Sequence, residues 1–309
     1  MKRKVIQLAG KTLVVSLPHQ WVKKYGVKKS DEVDVSDKDN TITITAGDTI
    51  VVPKKTTVDL SGLTIDFVKS IISVLHKVGY DEIECLYDRP EIARAIRERT
   101  AGLIGFELIE QTPKRCVVKS VSGDDHQEFD NMVRRTFLVT LSLAEGSYQL
   151  IRQRNYSDLV SVLHFEETNN RLTNYCHRLL NKESKGASSM FTYTILWILE
   201  KIADHYRDIC ISTAKRASPV DPSVLQYYAD VNTHLKDYYT FFYGKSLGDV
   251  EELRKKNAYL RTQLQQTIVE DPKDHEIVLS LFALVCNLYD CLGSTTGRKF
   301  LIEHQESFS

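Results

Sequence analysis

Apolar positions recur at every second residue over the first fifty positions and at every third or fourth beyond residue 125, so the chain changes period as it runs. Lys4–Leu8 and Thr12–Ser16 are β-rich and flank a turn at Ala9-Gly10-Lys11. Pro18 suits the first turn of a helix, where its missing N–H goes unused, and Trp21, Val22 and Tyr25 supply that helix with an apolar face. Gly26 sits where a left-handed cap belongs. Glu32–Asp37 alternates, with Val33 and Val35 on one face, and "DKDN" turns the chain into Thr41–Thr45, where Ile42 and Ile44 share a face. The pattern predicts β-β-α-β-β.

Residues 53–122 mix the two periods. "TIVVPKKTTVDL" looks extended, Thr64–Val78 is helical through Ile65, Val68, Ile72 and Leu75, and Glu91–Thr100 is a second helix. Strands are expected over Glu82–Tyr87, Phe106–Gln111 and Cys116–Val121, giving a small α/β unit. "GLIG" (Gly102–Gly105) matches the GxxG loop of KH domains, but it leads into a strand, so a plain helix-to-strand turn is the better account. From Asp125 onward strand signals fade. Gly146, Gly186, Gly244, Gly248, Gly293 and a break at Ser218–Pro222 divide six amphipathic segments, about 125–153, 156–182, 187–216, 221–243, 247–270 and 273–304. Short connections make them antiparallel neighbours, and their grouping in threes about "SPVDP" fits an internal duplication. The aromatic run at Tyr227–Gly244 puts Tyr228, Leu235 and Tyr239 on one stripe, as core packing requires. The expected class is α+β multidomain, with domains at 1–52, 53–122 and 123–309.

Composition changes this picture in one respect. Lys plus Arg equals Asp plus Glu over the 309 residues, yet residues 1–30 hold eight Lys or Arg and no acid, leaving −8 on the remainder. A basic head on an acidic body points to an anionic partner for the head. The longest apolar run, Ile277–Cys286, is ten residues, short of the roughly 20 that span a bilayer, and no signal peptide is read at the N-terminus. Six scattered cysteines fit a reducing cytoplasm. No Ser/His/Asp set, phosphate loop or dinucleotide fingerprint appears, so no enzyme is expected.

A ββαββ unit of this size buries too little surface to stand alone, and a second copy is the simplest partner. "RKVIQLAGKTLVVSLPHQWVKKYGVKKSDEVDV" resembles the SpoVT/AbrB swapped-hairpin DNA-binding domain. The resemblance implies a dimeric barrel of interleaved hairpins with Arg3, Lys4, Lys11, Lys23 and Lys24 presented to double-stranded DNA at a roughly palindromic promoter site. Ser30 stands where that family usually has the glycine of a Gly-Asp turn. Lysine in place of arginine favours phosphate contacts over base reading.

In the helical half, "LEKIADHYRDI" sets Glu200 and Asp204 four apart on one face, able to share a hard metal ion or a positive partner. "HFEETNNRLTNYCHRLLNK" runs Glu166, Glu167, Asn170 and Arg171 ahead of an apolar stripe. Both stretches resemble PhoU, a duplicated three-helix bundle, whose metal-binding patterns are "E-E-x-x-D-R-L" and "L-E-R-I-A/G-D-H". The resemblance implies a pair of three-helix bundles and a divalent or iron-type metal at Glu167, Glu200 and Asp204. Asn170 replaces an expected Asp, and the second repeat has Asn287 and Cys291 where carboxylates are expected. The order of the two parts resembles archaeal AbrB–PhoU fusion regulators of phosphate uptake. It implies a cytoplasmic, dimeric DNA-binding regulator of phosphate homeostasis with a sensor arm. Alternatives are an adaptor for a phosphate transporter or its sensor, with the barrel only a dimeriser, and a metal-storage scaffold.

Overall fold

The computed structural model describes residues 2–8, 10–38, 41–46, 53–123, 127–182, 187–244 and 248–306. The expectations at Ala9, at the turn over 39–40, at the extended stretch over 49–52 and at Gly186 lie outside the described residues. The chain divides into two compact units, Met1–Pro53 and Lys54–Ser309.

The first unit is β-rich. Strands β1 (Ile6–Leu8) and β2 (Thr12–Val14) form one two-stranded sheet, and β3 (Val33–Lys38) and β4 (Thr41–Ala46) form another. Between them lies the short helix α1 (His19–Tyr25), closed by Gly26 at φ 66° with its N–H bonded to Val22 O. Register pairs Ile6 with Val14 and Val35 with Ile44, so each hairpin carries an apolar face. Among the described residues those faces are largely uncovered. Val5, Ile6, Leu8, Leu13, Val15, Val35 and Ile42 are exposed, and Ala46 is the buried residue of the described part.

The second unit begins with a four-stranded sheet in the order β5-β6-β8-β7, made of β5 (Lys55–Asp59), β6 (Glu82–Leu86), β7 (Phe106–Gln111) and β8 (Arg115–Ser120). Helix α2 (Ile65–Lys77) crosses between the parallel pair β5 and β6, and α3 (Pro90–Ala101) precedes the antiparallel strands. Alternation sends Ile83, Cys85, Cys116 and Val118 inward onto Val68, Ile72, Ile92 and Ile96. Lys55, Glu82, Glu84, Arg115 and Lys119 form ion pairs on the polar face. Gly105, at φ 78°, begins the turn into β7, so "GLIG" is a helix-to-strand turn.

Six helices complete the unit: α4 (Phe129–Arg152), α5 (Leu163–Lys182), α6 (Ala187–Thr213), α7 (Pro222–Tyr243), α8 (Asp249–Gln266) and α9 (Pro272–Glu306). A 3-10 segment, Tyr156–Val162, leads into α5 where one helix over 156–182 was expected, and Arg154 at φ 61° turns the chain just before it. Helices α4, α5 and α6 pack on one another, as do α7, α8 and α9. The two groups meet where α6 runs along α9 and α4 along α7, around one apolar cluster. Among the described residues α9 is long and apolar enough to cross a membrane by length and composition. Ile277, Leu281, Leu284, Val285 and Leu288 on it are buried in that cluster.

The α/β segment and the helices cluster together in the unit Lys54–Ser309. The reason is a polar joint. Arg178 of α5 is fully buried and donates to Tyr80 O and to the Asp81 carboxylate, with its guanidinium 4.9 Å from the Phe106 ring. Lys182 adds a 2.6 Å ion pair to Asp81, and Asn181 donates to Lys77 O at 2.7 Å. Gly79 makes this approach possible: it takes φ 91° after α2, and a Cβ there would lie 2.7 Å from Lys182 Cγ. Removing one partner of so buried a pair costs about 3–5 kcal/mol, because the other charge is left uncompensated.

Candidate nucleic-acid interface and the carboxylate strip

Helix α1 is seven residues long and its last turn carries Lys23 and Lys24. Cations at a helix C-terminus complement the partial negative charge of its free carbonyls. Trp21 and Tyr25 share a face, ring centroids 5.5 Å apart and half-buried, while Lys23 and Lys24 are exposed. Lys24 Nζ sits 5.1 Å from the Tyr25 ring. Lys11 follows Gly10, whose φ of 82° makes the tight turn between β1 and β2. Arg3 and Lys4 precede β1 and are exposed, as is Lys11. All five residues expected at the DNA surface are therefore solvent-facing in the single chain, on the first hairpin and the short helix that follows it.

Ser30 is in the left-handed region at φ 75°, in a turn where Asp31 N–H donates to Lys28 O at 3.2 Å and the Asp31 carboxylate accepts from Lys28 N–H at 2.7 Å. A residue with a Cβ is disfavoured there, which is why a glycine is expected at this position. Acidic Asp31, Glu32 and Asp34 line a cleft with Tyr25, Val33 and Ala46.

The family model for the antidote-toxin recognition protein MazE, a bacterial antitoxin, matches residues 6–57. The match supports a similarity of the N-terminal part to MazE/AbrB-type domains. Domains of this type are typically dimers that bind DNA or a toxin. The match covers the start of the chain and does not reach the helical part. No curated protein and no solved structure gives a match.

The carboxylates expected to hold a metal are arranged otherwise. Glu200 and Asp204 share a face of α6, as their spacing requires, but Glu167 on α5 is exposed, and Glu166 beside it is the buried residue facing them. Arg207 donates to both Glu166, at 2.9 Å, and Asp204, at 2.7 Å. Lys201 pairs with Asp204 at 2.8 Å, and Lys77, from α2, lies 3.7 Å from Glu200. Burial pushes the Glu166 carboxyl up, opposed by Arg207 and a hydrogen bond from Asn170. Burial also lowers the Arg99 guanidinium on α3, which feels the charges of Glu200 and Glu166. Among the described residues no group of three or more His, Cys, Asp or Glu is placed to hold one metal ion. Arg207 and Lys201 pair directly with Glu166 and Asp204, while the buried Glu200 Oε2 has Lys77 at 3.7 Å and, among the described residues, no hydrogen-bond partner. In the second group Cys291, where the resemblance expects a carboxylate, is buried in the core.

Arg178 and Asp81 escaped the sequence reading. The signal was present in "YCHRLL", where an arginine three residues from Tyr175 falls on the apolar stripe of a helix. Such an arginine must find a buried anion.

Proposed function

We propose that the chain is a dimeric DNA-binding regulator whose MazE/AbrB-type unit interleaves with a second copy and lays Lys23 and Lys24 of both copies on the phosphates of a two-fold site. The carrying observation is the conjunction, in residues 6–57, of a pair of hairpins with largely uncovered apolar faces and a solvent-facing basic helix. The helical unit serves as the regulatory arm, and the resemblance of "LEKIADH" to PhoU makes phosphate status the signal it reads. Cytoplasmic placement goes with this reading. The protein cations paired with the carboxylate strip favour an arm that responds through a ligand or a partner protein over one that holds a metal. A change that reorients the arms shifts the population of DNA-competent dimers.

The test is a salt titration of full-length protein on DNA fragments recovered from cells at high and low phosphate. Log affinity should fall linearly with log salt. Lys23→Ala removes one contact per copy and should flatten that slope by about 2. Binding with no salt dependence, or none at all, would overturn the regulator reading. An antitoxin-like role, suggested by the description of the matching family, would then be the better account.

A further inference from the structure

We infer that the α4/α7 face of the helical unit is a second self-association surface, docking on the same face of another copy of this chain. A groove of about 1090 Å³ runs between these helices. Leu138, Leu141, Tyr148 and Phe165 make its apolar lining, and Leu138 is 45% exposed. Its two walls carry opposite charges: Glu145 stands on α4 and Lys236 on α7, both exposed. A groove with one acid and one base on opposing walls is complementary to itself, because a two-fold axis places Glu145 of each copy against Lys236 of the other. A partner of uniform charge would satisfy one wall and repel the other. Among the described residues neither has an ion-pair partner within the chain: Glu145 accepts from the neutral Gln149 amide, and Lys236 is engaged through its backbone carbonyl by the Thr240 hydroxyl.

The groove alone is smaller than the interfaces that hold free proteins together. It need not do so. This inference rests on the pairing of the N-terminal units, which would hold two helical units in one assembly at an effective concentration near millimolar, where a weak contact closes. Occupation of the groove would then depend on dimerisation and would fix the spacing of the two arms.

The experiment uses full-length protein refolded from an equal mixture of unlabelled and nitrogen-15 chains, treated with a zero-length carbodiimide cross-linker and read by mass spectrometry. The expected result is a Glu145–Lys236 cross-linked peptide of mixed isotope composition. Glu145→Lys alone removes the reacting carboxylate and sets like charges across the groove, so the mixed peptide should disappear. Combining Glu145→Lys with Lys236→Glu should restore it, because the swap keeps the pair and reverses only its sense. Mixed cross-links within residues 1–53 without any between the grooves would overturn this inference and leave the N-terminal pairing intact. A monomer by sedimentation, with no mixed peptide anywhere, would overturn both.

Discussion

At the scale of single residues, backbone conformation and buried charge decide more than side-chain identity on the surface. Ser30 shows the first point. Its φ of 75° places a Cβ where glycine is preferred, at a cost of about 1–2 kcal/mol, partly offset because glycine is more flexible in the unfolded chain. Ser30→Gly is therefore expected to stabilise the N-terminal unit by about 0.5–1 kcal/mol, measured by thermal unfolding; a loss of stability would mean that the Ser30 hydroxyl contributes a bond worth more than the strain. Asp81 shows the second. Burial alone would raise its carboxyl, but hydrogen bonds from Lys182, the Lys54 backbone and Arg178 hold it below its ordinary value. The Ser30 position was legible in the sequence because a turn's geometry is local. The partner of Arg178 was not, since it lies 97 residues away in the chain.

Among the elements, the contrast is between those that carry their own stability and those that borrow it. Two-stranded sheets are marginal in water, and both N-terminal hairpins leave their apolar residues largely uncovered. Leu13, 69% exposed on β2, is the sharpest case. Leu13→Asp should convert the protein to a monomer by sedimentation and abolish DNA binding, while helical circular dichroism stays unchanged. A dimer surviving this change would place the interface elsewhere. Helix α9 is the opposite case. It is apolar enough for a bilayer, but Ile277, Leu281, Leu284, Val285 and Leu288 face other helices, because amphipathic segments supply one another with cover.

At the scale of the whole molecule, the helical unit buries neutral histidines that tie its stability to pH. Burial lowers His177 and His234 to about 4, and each hydrogen-bonds through one ring nitrogen, to Tyr193 O and the Asn257 amide. Below about pH 6.5 the unfolded chain takes up protons at these sites and the folded one does not. Stability present above pH 6.5 is therefore lost as pH falls toward 4, on the order of 3 kcal/mol for each histidine. Glu166, whose carboxyl burial pushes up, takes a proton more readily when folded and offsets part of the loss. Urea unfolding at pH 7, 6 and 5 should show a falling midpoint; a flat profile would contradict the burial of neutral imidazoles.

The sequence by itself determined the periods, hence the β-β-α-β-β start, the mixed middle and the six helical segments, together with the basic helix and its need for a second copy. These follow from local geometry: which residues share a face, where a glycine or proline must stand, and where like charges accumulate. Only the tertiary structure placed the carboxylates among charged neighbours. Their spacing on α6 left a metal ion and a positive protein partner open; α2 brings Lys77 to 3.7 Å from Glu200, and Arg207 pairs with Glu166. The tertiary structure likewise clusters residues 54–309 together, because burying Arg178 requires a carboxylate that no periodicity in its own helix could announce.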